Sequence, residues 1–215
     1  MTEPAVDLRE AVVTSGNFPL LSGVTLQVEP GTLLVLRGGN GAGKTSLLRL
    51  VSGLDRLRGG EGRVLGVDLA TGDRRALRRR VGWMGHEGSF YGDLTVRENL
   101  EFAARSLERP LADIDPALER VGLGARRDTP TRQLSAGQRR RLALGWLIIR
   151  RAELWLLDEP HAALDEAARD LVDRLVTDAV GVGVTVIVSA HDDVTGLGDA
   201  RHEVVMLGGR VAGSS

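Results

Sequence analysis

The sequence predicts an α/β fold built on a largely parallel sheet, and three stretches predict it. In the first, the apolar run Thr32-Leu33-Leu34-Val35-Leu36 leads into Gly38-Gly39-Asn40-Gly41-Ala42-Gly43-Lys44-Thr45. It continues into Ser46-Leu47-Leu48-Arg49-Leu50-Val51, whose apolar residues have helical spacing. In the second, the apolar run Leu154-Trp155-Leu156-Leu157 ends in two acids, Asp158 and Glu159. In the third, a helical pattern from Glu166 to Val180 separates that run from a further strand-like run, Thr185 to Ser189, so a parallel crossover is natural.

Taken in chain order, Val6 to Val13 and Thr25 to Val28 are strand-like, with Ser22-Gly23 and Pro30-Gly31 as turns. The helix after the glycine loop ends near Ser52-Gly53, and Gly59-Gly60-Glu61-Gly62 punctuates a short return strand at Arg63-Val64-Leu65. Arg74 to Arg80 reads as a short basic helix and Val81-Gly82-Trp83-Met84 as a strand. Helical spacing dominates Thr95 to Arg105 and Leu111 to Val121, with Thr95 and Asp113 as candidate caps. Residues 85–151 are therefore expected to form a mostly helical insertion, with core and β-rich parts at 1–84 and 152–215. The last strand signal is Glu203 to Leu207, and only Ala212 to Ser215 reads as frayed.

The chain has 215 residues, 42% of them hydrophobic, and a formal charge of −1, enough for one large core or one core with a small lobe. No apolar run approaches the roughly 18 residues a membrane-spanning helix needs. The start, Met1-Thr2-Glu3-Pro4-Ala5-Val6-Asp7, lacks the pattern of a secretion signal, so a cytosolic location is expected. The absence of cysteine excludes disulfides and thiolate metal sites. A charge near zero gives no reason to expect a nucleic-acid partner. The arginine runs Arg78 to Arg80, Arg139 to Arg141 and Arg150-Arg151 read as solvated helix faces, with Arg139 to Arg141 able to anchor the helix they open.

Strand, glycine loop and helix are the context a phosphate-binding loop requires. Glycines let successive backbone N–H groups converge on a phosphate, and the helix start turns its positive dipole end toward the same anion. Lys44 would reach the β- and γ-phosphates of a nucleotide, and the Thr45 hydroxyl would bind Mg²⁺. Lys44 is also the chain's only lysine, a compact point charge suited to such a cradle. The acids that end the Leu154 strand lie where α/β proteins bind ligands. Asp158 is placed to hold Mg²⁺, directly or through water, and Glu159 to orient or deprotonate an attacking water. Leu134-Ser135-Ala136-Gly137-Gln138 opens a further helix. Ser135 reads there either as a helix N-cap or, with its small neighbours and the helix N-terminus, as a second phosphate surface. One chain does not readily place both surfaces on one γ-phosphate, whereas two chains facing head to tail do.

These motifs, in order, resemble those of ABC-transporter ATPase subunits over nearly the whole chain. The glycine loop resembles Walker A, Leu134 to Gln138 the LSGGQ signature and Leu154 to Glu159 Walker B. Ala163-Leu164-Asp165 resembles the D-loop, and His191, after Val186-Ile187-Val188-Ser189-Ala190, the switch histidine. The resemblance implies a P-loop NTPase fold with a RecA-like core, an antiparallel β subdomain and a helical subdomain. It implies ATP and Mg²⁺ as ligands and a head-to-tail homodimer around two ATP, in which Gly38 to Ser46 of one chain and Ser135, Ala136, Gly137 and Gln138 of the other hold each nucleotide. It further implies that His191 contacts the γ-phosphate and Glu159, that Asp165 links the two sites, and that separate transmembrane permease subunits dock near residues 86–100.

Two departures narrow the resemblance. Where most members carry a glutamine, this chain has His86, which can accept a hydrogen bond from water or ligate a metal but titrates near neutral pH. His86, Ala136 and the run Arg150-Arg151-Ala152-Glu153-Leu154-Trp155 are similar to the CcmA subfamily, the haem-exporter ATPases of cytochrome c biogenesis. That similarity implies a CcmB-like membrane partner and a peripheral place on the cytoplasmic face of the plasma membrane. The second departure is Ser15 where an aromatic residue usually stacks on adenine. Phe18 is the candidate substitute, and a core phenylalanine is the competing reading. The other functional readings are an ATPase of another exporter and an ATP-gated regulatory subunit with little turnover.

Overall fold

The computed structural model describes residues 3–85, 90–162, 164–190 and 201–214. Two sheets organise them. Strands β1 (Val6–Ser15) and β2 (Phe18–Val28) form an antiparallel hairpin. Next come β3 (Leu33–Arg37), helix α1 (Lys44–Val51), β4 (Gly59–Val64) and the two-residue β5 (Val67–Asp68). Helix α2 (Arg74–Arg80) and β6 (Val81–Met84) precede three helices, α3 (Val96–Ser106), α4 (Ile114–Arg120) and α5 (Ala136–Arg150). The chain closes with β7 (Leu154–Asp158), α6 (Glu166–Gly181), β8 (Thr185–Ser189), β9 (Arg201–Leu207) and β10 (Arg210–Ser214). The antiparallel sheet runs β2-β1-β4-β5, and the six-stranded sheet runs β10-β9-β3-β8-β7-β6. All neighbours from β9 to β6 are parallel, and β10 pairs antiparallel with β9.

The apolar runs of β3, β7 and β8 follow from this placement, because a strand covered on both faces has no solvated side to alternate with. Leu33, Val35, Trp155, Leu157, Val186 and Val188 face a core completed by α3, α4, α5 and α6. Leu34, Leu36, Leu154, Leu156 and Ile187 face a second core, completed by α1 and the antiparallel sheet. Successive residues thus divide between two cores with the strand period of two.

Caps and breaks set the helical region. Thr95 and Glu98 form a reciprocal capping box at the start of α3. The buried Asn99 side chain donates to the carbonyls of Tyr91 and Leu94 and to the Thr131 hydroxyl, fixing the loops on either side of α3. Asp113 does not cap with its side chain, which instead accepts from Arg151 at 2.7 Å. The expected helix from Leu111 splits into a 3₁₀ turn, Leu111–Asp113, followed by α4. Pro116 sits in the first turn of α4, where its missing N–H does no harm.

The glycines of the antiparallel sheet differ from expectation. Gly59-Gly60-Glu61-Gly62 and Ser22-Gly23 lie inside β4 and β2 rather than in turns. Both flank a bulge in β1, where the register shifts after Leu8 and Glu10 takes a left-handed φ of 48°. At Gly60, with φ 75°, an added Cβ would lie 2.1 Å from the Glu10 carbonyl oxygen. At Gly60 the glycine signal marks close backbone approach, and at Gly23 a left-handed φ of 82° beside the Glu10 carboxylate; neither reverses the chain. At the carboxyl end, Ala212 to Ser214, expected to fray, lie in β10, held by its hairpin with β9; Ser215 lies outside the described residues. From the Gly60 contact, Gly60→Ala is expected to lower the unfolding free energy by about 1–3 kcal/mol in urea denaturation, and an unchanged midpoint would contradict this account.

Candidate functional site

The site is built at the carboxyl ends of β3, β7 and β8, which are adjacent in the sheet. Register places Asp158 opposite Ser189. The Ser189 hydroxyl donates to Asp158 Oδ1 at 2.6 Å and accepts the Glu159 N–H at 2.9 Å. The Thr45 hydroxyl, from the first turn of α1, donates to Asp158 Oδ2 at 2.8 Å. Asp158 is 4% exposed, so both oxygens of a buried carboxylate are hydrogen-bonded by neighbouring elements. Glu159 then leaves the sheet with a left-handed φ of 50° and a half-buried side chain.

The glycine loop wraps the start of α1. Gly38 has φ 142°, and an added Cβ there would lie 2.4 Å from the Met206 carbonyl oxygen, so β9 leaves room only for glycine. An added Cβ at Gly39 or Gly41 would meet nothing within 4 Å, which leaves open space along the loop for a phosphate. Asn40 is exposed, Ala42 is buried and Gly43 is the N-cap of α1. Lys44, Thr45 and Ser46 form its first turn, where backbone N–H groups have no helical partner. Lys44 Nζ donates to the Gly38 carbonyl at 2.5 Å and the Gly39 carbonyl at 3.2 Å, so the ammonium is folded onto the loop it would serve.

The residues present fit Mg²⁺ and a nucleotide. Thr45 and Asp158 offer two hard oxygen donors already in contact. Mg²⁺ at such sites takes one or two carboxylates together with substrate phosphates and water, not a dedicated protein cage. Accordingly, no cluster of three or more His, Cys, Asp or Glu ligands occurs among the described residues.

Ser135 caps α5: its hydroxyl accepts the Gln138 N–H at 3.2 Å, and Gln138 Oε1 accepts the Ser135 N–H at 2.9 Å. The N-cap reading is therefore realised, and the hydroxyl proton is still there to be donated. Ser135, Ala136, Gly137 and Gln138 line a depression together with Leu164 and Asp165, and Asp165 caps α6 by accepting the Ala168 N–H at 2.8 Å. Phe18, at the tip of the β1–β2 hairpin opposite Ser15, is 77% exposed, which removes the core reading. His86, Ala163 and His191 lie outside the described residues.

Two residues of the site were not singled out in the sequence. Ser189 joins Asp158 to Glu159, and only the pairing of β7 with β8 reveals it. Arg140 donates to the Glu159 carbonyl at 2.5 Å. Its flanking arginines are not simply solvated either: Arg139 donates to the Leu134 carbonyl and Arg141 to the Gly122 carbonyl. Burial pushes the Arg140 guanidinium below its ordinary pKa, while the charges of Glu159 and Asp158 push it back up.

A family model described as ABC transporter matches residues 21–162, which carry the glycine loop, the Ser135 motif, Asp158 and Glu159. The chain belongs to the ABC transporter family. Within it, the cytochrome c biogenesis ATP-binding export protein CcmA 2 of Cupriavidus metallidurans is 40% identical over 89% of this chain and 91% of its own length. The cytochrome c biogenesis ATP-binding export protein CcmA of Methylococcus capsulatus is also 40% identical, over 86% of this chain and 90% of its own. Among solved structures, an ATP-binding subunit of an ABC transporter matches with a TM-score of 0.89 at 23% identity, covering 98% of this chain and 89% of its own. A dimeric ATP-binding cassette in a post-hydrolysis state with ADP and Pi matches with the same score and identity, covering 98% and 97%. The α/β fold of the chain is that of the ABC ATPase cassette.

Because Ser189 satisfies groups on two neighbouring residues, Ser189→Ala is expected to destabilise this ABC cassette by about 1–3 kcal/mol in chemical denaturation. A midpoint equal to that of the parent chain would mean that water replaces the hydroxyl without loss.

Proposed function

We propose that the chain is the ATP-hydrolysing subunit of an ABC export machine that serves cytochrome c biogenesis, with haem as the exported species. One observation carries the catalytic part: Thr45, Asp158, Ser189 and Glu159 form a continuous hydrogen-bonded set beside the Lys44 loop. The biological assignment is supported by the two CcmA relatives at 40% identity.

In this reading Lys44 exchanges the Gly38 and Gly39 carbonyls for the β- and γ-phosphates of ATP. Backbone N–H groups of Gly39 to Ser46 surround the phosphates. Thr45 and Asp158 would hold Mg²⁺, which neutralises charge on the transferring phosphoryl group. Glu159 orients a water and takes its proton as the water oxygen bonds to the γ-phosphorus, and ADP leaves with the bridging oxygen. Ser135 to Gln138 of a second copy close over the γ-phosphate, and Asp165 connects the two sites. His191 contacts the γ-phosphate and Glu159, His86 binds the attacking water or the metal, and Phe18 packs on adenine. The chain divides into a core with its β subdomain, 1–84 and 152–215, and a helical subdomain at about 85–151. It sits on the cytoplasmic face of the plasma membrane, and CcmB-like permease subunits supply the membrane path. No helix among the described residues is long and apolar enough to cross a membrane.

Glu159→Gln separates a working ATPase from an ATP-gated regulatory subunit. Turnover is expected to fall at least about 100-fold, while ATP-dependent dimers persist longer in sedimentation. No change in either quantity would overturn the assignment. For the biological role, the tagged chain is expected to co-purify with a membrane-spanning partner, and Lys44→Ala to abolish cytochrome c maturation in cells. Normal maturation in that variant would remove the haem assignment and leave the ATPase standing.

A further inference from the structure

Glu159 is held in an unfavourable backbone conformation by contacts on both sides of its Cα. A non-glycine residue with φ near 50° is disfavoured and persists where the surroundings over-determine it. Its N–H is held by Ser189, from the neighbouring strand, and its carbonyl by Arg140, from α5. The first contact joins the residue after β7 to the end of the neighbouring strand β8. The second joins Glu159 to a different part of the molecule, the helix that Ser135 opens.

Arg140 is half-buried and lies close enough to Asp158 and Glu159 to feel both charges. Arg139 and Arg141 turn to carbonyls within the helical region, so Arg140 alone of this triplet reaches the residue that follows β7. The helix that presents Ser135 to the nucleotide of a second copy therefore also grips Glu159 of its own chain. We propose that Arg140 is a positioning residue: it sets the backbone of Glu159 for attack, and through it the seating of α5 on the partner's ATP controls hydrolysis in the chain's own site. This rests on the reading of Glu159 as the base of an ATPase.

The test is a double-mutant cycle on the full chain co-purified with its membrane subunits, with steady-state turnover measured against ATP concentration. Arg140→Met keeps bulk and removes the donor. It is expected to lower kcat about tenfold or more with KM within about twofold, because ground-state binding of ATP does not use the Arg140 contact. Arg140→Lys, which restores a cationic donor, is expected to recover most of the loss. In the Glu159→Gln background, Arg140→Met is expected to add no further loss of turnover and to leave ATP-dependent dimers intact, since Arg140 acts through Glu159. If Arg140→Met does not fold, Arg140→Gln takes its place with the same expected outcome. A parent-like kcat, a loss confined to KM, or an equal further loss in the Glu159→Gln background would overturn the proposal. If Glu159→Gln itself leaves turnover unchanged, the reading of Glu159 as the base falls and this proposal with it.

Discussion

A buried carboxylate needs partners for both oxygens, and the geometry around Asp158 follows from that need. Thr45 and Ser189 meet it from α1 and from β8, so the phosphate loop, the middle of the parallel sheet and the neighbouring strand end must arrive in one register. The two-sided burial of β3, β7 and β8 supplies that register by dividing alternate residues between two cores. A slip of one residue would exchange every side chain between the cores and carry Asp158 away from Thr45. Site and core are thus specified by the same strand alignment.

Arginine does much of the joining elsewhere. Arg80 pairs with Glu153 at 2.7 Å and donates to the Leu65 carbonyl, and Arg150 donates to the carbonyls of Arg78 and Val81. Arg37 pairs with Glu203 across β3 and β9. An exposed pair such as Arg80 with Glu153 adds little stability by itself. Their value is geometric: a guanidinium presents several donors in a fixed plane and can hold a strand end and a helix end together. Glu153 accordingly sits below the usual carboxylate range, chiefly through its hydrogen bonds to Arg80.

Local chemistry was legible in the sequence. The glycine loop, the Thr95 cap, α6 and the parallel strands all carry their signal within a few consecutive residues. What escaped depends on partners distant in the chain. Gly23 and Gly60 announce a special backbone, but only the bulge at Glu10 shows that they lie inside paired strands instead of turning the chain. Ser189 reads in sequence only as the end of an apolar strand, and its pairing with Asp158 depends on β7 and β8 lying side by side. The Arg139 to Arg141 run matched a solvated face, and burial of a guanidinium against Glu159 leaves no trace in charge spacing. Phe18 reads in sequence as a core residue or a ligand contact, because a hairpin tip is not distinguishable from a strand interior by composition.

In the proposed dimer each catalytic site is shared by two copies, with Lys44 from one chain and Ser135 from the other. Mixing a Lys44→Ala chain with a Ser135→Arg chain tests it directly, since a head-to-tail pair of unlike copies keeps one site with both residues intact. ATP turnover absent from either variant alone is expected to appear on mixing, up to about a quarter of the parent rate for random pairing. Turnover no greater than the sum of the two separate variants would contradict the shared site.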